Sequence, residues 1–185
     1  FALIETASAA AGGGLEAALG RALEVGTIAD AAVAQSHSQR DDLWRLRHGI
    51  SEAQKREGAS LKHDISVPVG AVAQFIDAAT SAVTTAAPGA RVVAFGHVGD
   101  GNIHFNLSQP RGADPAEFLA QRSTLQRVVH DVAVGLGGSV SAEHGIGQAK
   151  RDELLHYKSE TEITLMRRLK SALDPDGILN PGKVI

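Results

Sequence analysis

Two histidines flank a short turn near the middle of the sequence, and their spacing suits a metal site. Asp100 and Gly101 separate two alternating runs, and Asp-Gly in that setting predicts a β-hairpin with a two-residue turn. That turn pairs His97 with His104 on one face of the hairpin, with Cβ atoms about 5 Å apart. The alternation adds Asn106 to this face and puts apolar side chains on the other. Two such imidazoles can bind one divalent metal ion with a third ligand from elsewhere, although single histidines are more often ordinary surface or core residues.

A glycine-rich stretch at residues 141–147, Ser-Ala-Glu-His-Gly-Ile-Gly, offers a carboxylate and a further imidazole. Glu143 can supply the missing oxygen ligand. In an extended segment successive side chains point to opposite sides, so Glu143 on the metal leaves His144 facing elsewhere, available as a base. The spacing alone favours a glycine-rich connection with solvated polar residues.

Two cations and a hydroxyl form a third candidate group. Arg47 and Ser51 are four residues apart on a predicted helix and share a face, and Lys62 lies in the next predicted strand. An arginine fork and a lysine ammonium beside a hydroxyl suit a substrate carboxylate, although a solvated helix face has the same pattern.

The elements that must position these residues alternate along the chain. Strands are predicted over residues 1–5, 27–34 and 60–67, with helices over residues 15–25, 39–57 and 72–86. The hairpin follows, then helices over residues 115–134, 148–157 and 160–173 and an extended tail. Adjacent strands that form a hairpin favour an α+β sandwich, an antiparallel sheet covered by helices, over a parallel sheet.

The composition excludes several classes of function. The 185 residues carry a net charge of −3 without a block of like charges, which gives no sign of nucleic-acid binding. Because cysteine is absent, there is no disulfide framework, thiolate zinc site, iron–sulfur cluster or cysteine nucleophile. The sequence contains no run of about 18 apolar residues, so it predicts no membrane-spanning helix. Because the sequence opens on Phe1, inside a predicted strand, we expect a piece of a longer protein.

Several motifs together resemble one known family. Residues 96–104 read Gly-His-Val-Gly-Asp-Gly-Asn-Ile-His, and residues 173–183 read Leu-Asp-Pro-Asp-Gly-Ile-Leu-Asn-Pro-Gly-Lys. With residues 141–147, 44–47 and 64–68, they are similar to the C-terminal half of FAD-linked 2-hydroxyacid dehydrogenases and oxidases. This family includes D-lactate and D-2-hydroxyglutarate dehydrogenases and the FAD subunit of glycolate oxidase, and the resemblance covers nearly the whole chain.

The resemblance implies a role for each candidate residue in the oxidation of a D-2-hydroxy acid to a 2-oxo acid. It implies a divalent metal, zinc rather than manganese or iron, bound by His97, His104 and Glu143, and His144 as the base that takes the hydroxyl proton. The other implied roles are substrate binding by Arg47, Ser51, Lys62 and Asn106, and an approach to the flavin by Asn180 and Lys183. The family position at Ser51 is often threonine, which leaves the choice of substrate open.

The resemblance also implies a fold and partners. It implies a ferredoxin-like α+β substrate (cap) part over residues 1–140, then C-terminal helices and a flavin-facing tail over residues 141–185. The FAD-binding domain of the family lies N-terminal to this region and has no counterpart here, so the partners are that domain, a small 2-hydroxy acid and an unidentified electron acceptor. The isolated chain is expected to be inactive. An exposed flavin-facing side favours self-association, with a homodimer as one form. We expect a cytoplasmic protein, and electron transfer to a membrane quinone is compatible with the same sequence.

Two other classes of function remain compatible with these residues. A stand-alone module could bind a hydroxy acid through the metal and the Arg47/Lys62 pair without redox chemistry. A metal-dependent hydrolase could use a site of two histidines and one glutamate to activate water, with His144 as proton shuttle.

Overall fold

The computed structural model describes residues 1–6 and 9–185, which form two compact units, Phe1–Arg56 and Glu57–Ile185. No helix among the described residues combines the length and the apolar character needed to cross a bilayer. The predicted division of the chain at residue 140 stays a prediction.

The first unit consists of two helices, α1 (Ala9–Glu24) and α2 (His37–Lys55). The Ser36 hydroxyl caps α2 by accepting a hydrogen bond from the Gln39 backbone N–H. The strands predicted over residues 1–5 and 27–34 are wrong: both segments are irregular, because neither finds a ladder partner in the described chain. Glu5 instead accepts hydrogen bonds from the Arg40 and Trp44 side chains, which tie the first segment to α2.

The second unit is built on an antiparallel sheet. Its strands are β1 (Ser60–Leu61), β2 (Asp64–Ser66), β3 (Arg91–His97) and β4 (Asn102–Ser108). The central strand β4 pairs with β3 on one side and with β1 and β2 on the other, and a bridge from Ser66 to Ser139 extends the sheet beyond β2. With the helices between the strands, this order is that of a ferredoxin-like fold, so the predicted α+β class is confirmed.

Helices α3 (Val72–Ala86), α4 (Pro115–Ala120) and α5 (Arg122–Gly135) accompany this sheet. The apolar face of β4 meets α3 through Phe105, which is fully buried and lies edge-to-face against Phe75 at 5.4 Å. Leu125 and Val129 of α5 belong to the same core. One face of the sheet is therefore core, and the opposite face is left for polar side chains.

Two further helices, α6 (Arg151–Tyr157) and α7 (Glu160–Leu173), end the chain together with an irregular tail. Ser159 and Glu162 form a reciprocal capping box at the start of α7. At the end of α7 the Asp174 carboxylate accepts the backbone N–H groups of Ile178 and Leu179, which holds the first residues of the tail.

Candidate metal and substrate site

The hairpin brings His97 and His104 to the same face of the sheet, although not in the predicted register. His97 lies opposite Asn102, and His104 lies opposite Phe95. The predicted direct pairing of the two histidines is therefore wrong by two residues. Because side chains alternate with a period of two, a shift of two residues leaves every side chain on its predicted face. Asn106 accordingly shares the face of His104, as expected.

The register differs because the turn is longer than two residues. A 3-10 turn at Val98–Asp100 and Gly101 connect the strands, and Gly101 has a φ of 72°. A Cβ atom on Gly101 would lie 2.0 Å from the Val67 carbonyl oxygen, so a side chain is excluded at this position. The Asp100 carboxylate accepts the Asn102 backbone N–H at 3.2 Å, which stabilises the turn.

The loop before α6 brings Glu143 to these two histidines. One carboxylate oxygen of Glu143 lies 3.4 Å from His97 Nδ1, and the other lies 3.6 Å from His104 Nε2. The three residues that the resemblance implies as metal ligands are thus neighbours, with Glu143 between the histidines. Their side chains differ in exposure: His104 is largely covered, whereas His97 and Glu143 are open to solvent.

An extended segment predicted that His144 faces away from this group, but in the structure its side chain lies next to the group. Its ring stacks on the His104 ring with centroids 5.7 Å apart, and its Nδ1 lies 3.8 Å from Asp64 Oδ2. The prediction failed because residues 141–145 are bent rather than extended, with a φ of 68° at Gly145. The side chains of Glu143 and His144 therefore both lie in the same cluster, because the bend between them and Gly145 turns both towards it.

Asp64 is the residue that sequence reasoning missed. It lies in β2 and is 3% exposed. Its Oδ2 accepts the backbone N–H groups of Ala142, Glu143 and His144, and its Oδ1 accepts the side-chain amide of Asn102. A carboxylate in the middle of the predicted strand, directly before Ile65, is the signal that could have identified it.

The charge of Asp64 is stabilised where it lies. Burial raises the pKa of this carboxyl, but the hydrogen bonds from the His144 N–H and the Asn102 amide outweigh burial, so the pKa is below its usual value. The Lys150 ammonium is close to Asp64. It donates hydrogen bonds to the backbone carbonyl of Val140 at 2.8 Å and to the backbone carbonyl of Asp64 at 3.4 Å. Burial lowers the pKa of the Lys150 ammonium, against the attraction of Asp64.

The donors of this cluster are of the kinds that can bind a divalent metal ion. Imidazole nitrogens and carboxylate oxygens are suitable ligands, and the cysteine-free chain offers no thiolate. Within the described residues, Asp64, His104 and His144 form a group whose potential ligand atoms all lie within 4.8 Å of one another. Glu143 and His97 adjoin this group through His104. The cluster thus contains more donors than one tetrahedral ion needs.

The predicted substrate-binding residues lie in both units. Arg47 and Ser51 are on α2 in the first unit, and Ser51 is exposed. Lys62 is exposed between β1 and β2 in the second unit, and Asn106 is buried in β4 two residues from His104. The convergence of Arg47, Ser51 and Lys62 on one carboxylate stays a prediction.

Asn180 and Lys183 line a shallow groove in the second unit, between α7 and the tail. The groove has a volume of about 580 Å³ and is otherwise mainly apolar, with Leu169 and Leu179 among its lining residues. Asn180 has a φ of 48°, in the left-handed region that asparagine tolerates better than most residues. The approach of these two side chains to a flavin stays a prediction.

Comparison with known proteins gives the family of the chain. The family model for the C-terminal domain of FAD linked oxidases matches residues 2–184. The chain therefore belongs to the FAD-linked oxidase family and represents its C-terminal domain.

Several of its relatives are named D-2-hydroxyglutarate dehydrogenase. The D-2-hydroxyglutarate dehydrogenase of Stutzerimonas stutzeri (strain A1501) is 40% identical over 162 residues, which cover 88% of this chain and 35% of that protein. The mitochondrial D-2-hydroxyglutarate dehydrogenases of Arabidopsis thaliana and Bos taurus are 37% and 35% identical, over 92% and 100% of this chain and 29% and 33% of theirs. The chain thus spans about a third of the length of these relatives.

Proposed function

We propose that this chain is the substrate- and metal-binding part of a flavin-dependent dehydrogenase that oxidises a D-2-hydroxy acid to a 2-oxo acid. The observation that carries the proposal is the position of Glu143 between His97 and His104, with His144 stacked on His104. Because the chain spans about a third of its relatives, the complete reaction belongs to a longer protein that also carries a flavin-binding domain.

We assign the metal to His97, His104 and Glu143 rather than to Asp64. The Asp64 oxygens already accept hydrogen bonds from three backbone N–H groups and one amide, whereas the Glu143 carboxylate faces two imidazoles. Two imidazoles and one carboxylate form the ligand set of many catalytic zinc sites, which keep further positions for substrate. A bound metal supplies Lewis-acid polarisation of the substrate 2-hydroxyl and carboxylate.

His144 is suited to act as the base in this reaction. It lies beside His104, and its side chain is 65% exposed, so a substrate held at the metal can reach the imidazole. In the oxidation the hydroxyl proton passes to His144, while the C2–H bond breaks and its electron pair forms the new bond to the acceptor. FAD, bound by an adjoining domain, would supply the hydride acceptor.

The substrate that we favour is a dicarboxylate of the 2-hydroxyglutarate type. The relatives at 35–40% identity are named for that substrate, and the chain offers Arg47, Ser51 and Lys62 for a second carboxylate. Asn106 lies on the same sheet face as His104 and is assigned to substrate binding. Malate has the same arrangement of groups at a shorter length, and comparison of the two substrates tests the fit.

The groove between α7 and the tail is assigned to the flavin-binding domain. Its mainly apolar lining, with one amide and two ammonium groups, is compatible with contact to a flavin ring and the protein around it. Leu165, Leu169 and Leu173 follow one another at four-residue spacing on α7, and all are exposed in the described chain. These three leucines would form an apolar contact with the flavin-binding domain and be buried against it.

Metal binding is the first test of the proposal. Mass spectrometry and Zn²⁺ or Mn²⁺ titration of the purified chain should give about one ion per chain, lost in His97→Ala and Glu143→Ala. The matched controls, His37→Ala and Glu117→Ala, remove an exposed imidazole and an exposed carboxylate elsewhere. Retention of wild-type affinity in Glu143→Ala would contradict the ligand assignment.

Turnover is tested in the longer protein that carries the flavin-binding domain. With D-2-hydroxyglutarate and an artificial electron acceptor, His144→Asn should lose most activity and retain the metal. Metal and hydroxy-acid binding without reduction of the flavin would favour a binding module instead. Hydrolysis without flavin would favour a hydrolase.

A further inference from the structure

We infer that Asp64 is the positioning residue of this site: one buried carboxylate fixes the backbone that carries Glu143 and His144 and orients both neighbouring imidazoles. The inference rests on the proposed function for its metal-binding consequence. Its structural basis is independent of a metal and can be tested in the metal-free chain.

The first part of the argument is the backbone of the loop. Asp64 Oδ2 accepts the N–H groups of Glu143 and His144 at 2.9 and 2.8 Å, and that of Ala142 at 3.3 Å. Three consecutive N–H groups can point at one atom only if the chain curls around it. Because Asp64 is held in β2 by its ladder to β4, it fixes the loop relative to the strand that carries His104.

The second part is the orientation of the imidazoles. His104 Nδ1 lies 3.6 Å from Asp64 Oδ1, while its Nε2 lies 3.6 Å from Glu143. His144 also turns its Nδ1 towards Asp64, at 3.8 Å. These separations are those of ion-pair contacts, and a shift of less than about 1 Å brings them to hydrogen-bond length. A carboxylate at one ring nitrogen leaves the other nitrogen for a metal or for a substrate proton.

The third part is the position of Asn102. Its side-chain N–H₂ donates to Asp64 Oδ1 at 2.9 Å, while its own Oδ1 is buried without a hydrogen-bond partner among the described residues. Rotation of the amide by half a turn would put two oxygens against each other, so Asp64 dictates this orientation. A buried oxygen without a hydrogen bond costs free energy. The Asn102 side chain therefore satisfies the Asp64 carboxylate at the expense of its own amide oxygen.

Two substitutions at Asp64 separate its two roles. Asp64→Ala removes both side-chain acceptor oxygens, whereas Asp64→Asn keeps one acceptor oxygen and removes the charge. Asp174→Asn is the matched control, since Asp174 is also a buried carboxylate that accepts two backbone N–H groups, at the start of the tail. Circular dichroism establishes that each variant is folded.

Amide hydrogen exchange in the metal-free chain measures the backbone role. In Asp64→Ala the amides of Glu143 and His144 should exchange at least about 10-fold faster than in the wild-type chain, whereas the Ala142 amide keeps its bond to the Asp64 backbone carbonyl at 3.2 Å. In Asp64→Asn the Glu143 and His144 amides should keep most of their protection. The Asp174→Asn control should leave them unchanged. Unchanged exchange at Glu143 and His144 in a folded Asp64→Ala chain overturns the inference.

Zn²⁺ affinity and the visible spectrum of bound Co²⁺ measure the orienting role. Asp64→Asn should weaken Zn²⁺ binding about 10- to 100-fold, with one ion still bound at saturation and a Co²⁺ spectrum of wild-type form. Complete loss of binding, or a changed Co²⁺ spectrum with protected amides, identifies Asp64 as a ligand and overturns the inference. If the wild-type chain binds no metal, the proposed function fails, and amide exchange alone decides whether Asp64 positions the loop.

Discussion

The stability of the second unit should depend on pH through His63, a buried histidine next to the site. His63 is 2% exposed, and its Nδ1 lies 2.6 Å from the Phe105 carbonyl oxygen, so the neutral ring donates a hydrogen bond there. Burial lowers the pKa of His63 from 6.5 to about 4, with further opposition from the charges of His130, Lys150 and Arg122. Within the folded chain this ring therefore stays neutral until strongly acidic pH.

The sign and size of the effect follow from linkage. Below pH 6.5 the unfolded chain binds a proton at His63 that the folded chain does not bind, so the free energy of unfolding falls as the pH falls. The slope approaches about 1.4 kcal/mol per pH unit and continues until the pH reaches the folded-state pKa of about 4. The difference between the two pKa values corresponds to about 3 kcal/mol.

Urea unfolding of the metal-free chain with EDTA, at pH values from about 7 to about 4.5, measures this dependence. His63→Asn keeps a donor for the Phe105 carbonyl and removes the titrating ring. Its unfolding free energy should fall less steeply with decreasing pH than that of the wild-type chain. His130, whose pKa is also lowered by burial, is present in both chains and contributes to both slopes. His37→Asn, which removes an exposed ring, is the control. Parallel curves for His63→Asn and the wild-type chain would refute the reasoning.

Three further predictions concern stability and can be measured by urea unfolding at pH 7. Phe105→Ala should lower the free energy of unfolding by about 3–5 kcal/mol, because the ring is fully buried in the core, and Phe105→Leu should cost less. Glu153→Gln should cost about 1–3 kcal/mol, because the carboxylate lies 2.8 Å from His130 Nδ1 in a largely covered position; an unchanged midpoint would contradict this contact. Gly96→Ala should weaken the β3–β4 pairing, because its Cβ would lie 2.0 Å from the Asn102 carbonyl oxygen, and faster amide exchange along β4 would report it.

Local patterns in the sequence were sufficient to predict which side chains share a face of the central hairpin. They were not sufficient to predict which residues of the two strands pair. The alternation of side chains placed His97, His104 and Asn106 on one face correctly, because a period of two survives any even shift. The register depended on the length of the turn, and Asp-Gly also occurs at the end of a four-residue connection, where only Gly101 takes a positive φ.

The site itself depended on contacts that no local pattern contains. The alternation argument failed for His144 because Asp64 bends the loop, and Asp64 lies 80 residues away in sequence. The same limit applies to the two missing strands near the N-terminus. Their residues favour extended backbone, but a strand exists only where a partner completes the ladder.

The distance in sequence between Asp64 and its loop has a consequence for the order of folding. The β3–β4 hairpin closes a short loop, whereas the Asp64 contacts join residues 78 to 80 positions apart. Closure of long loops costs more entropy, so we expect these contacts to form after the hairpin. Interactions that form after the rate-limiting step slow unfolding and leave the folding rate almost unchanged. An ion bound at His97, His104 and Glu143 should therefore lengthen the lifetime of the folded chain without speeding its formation.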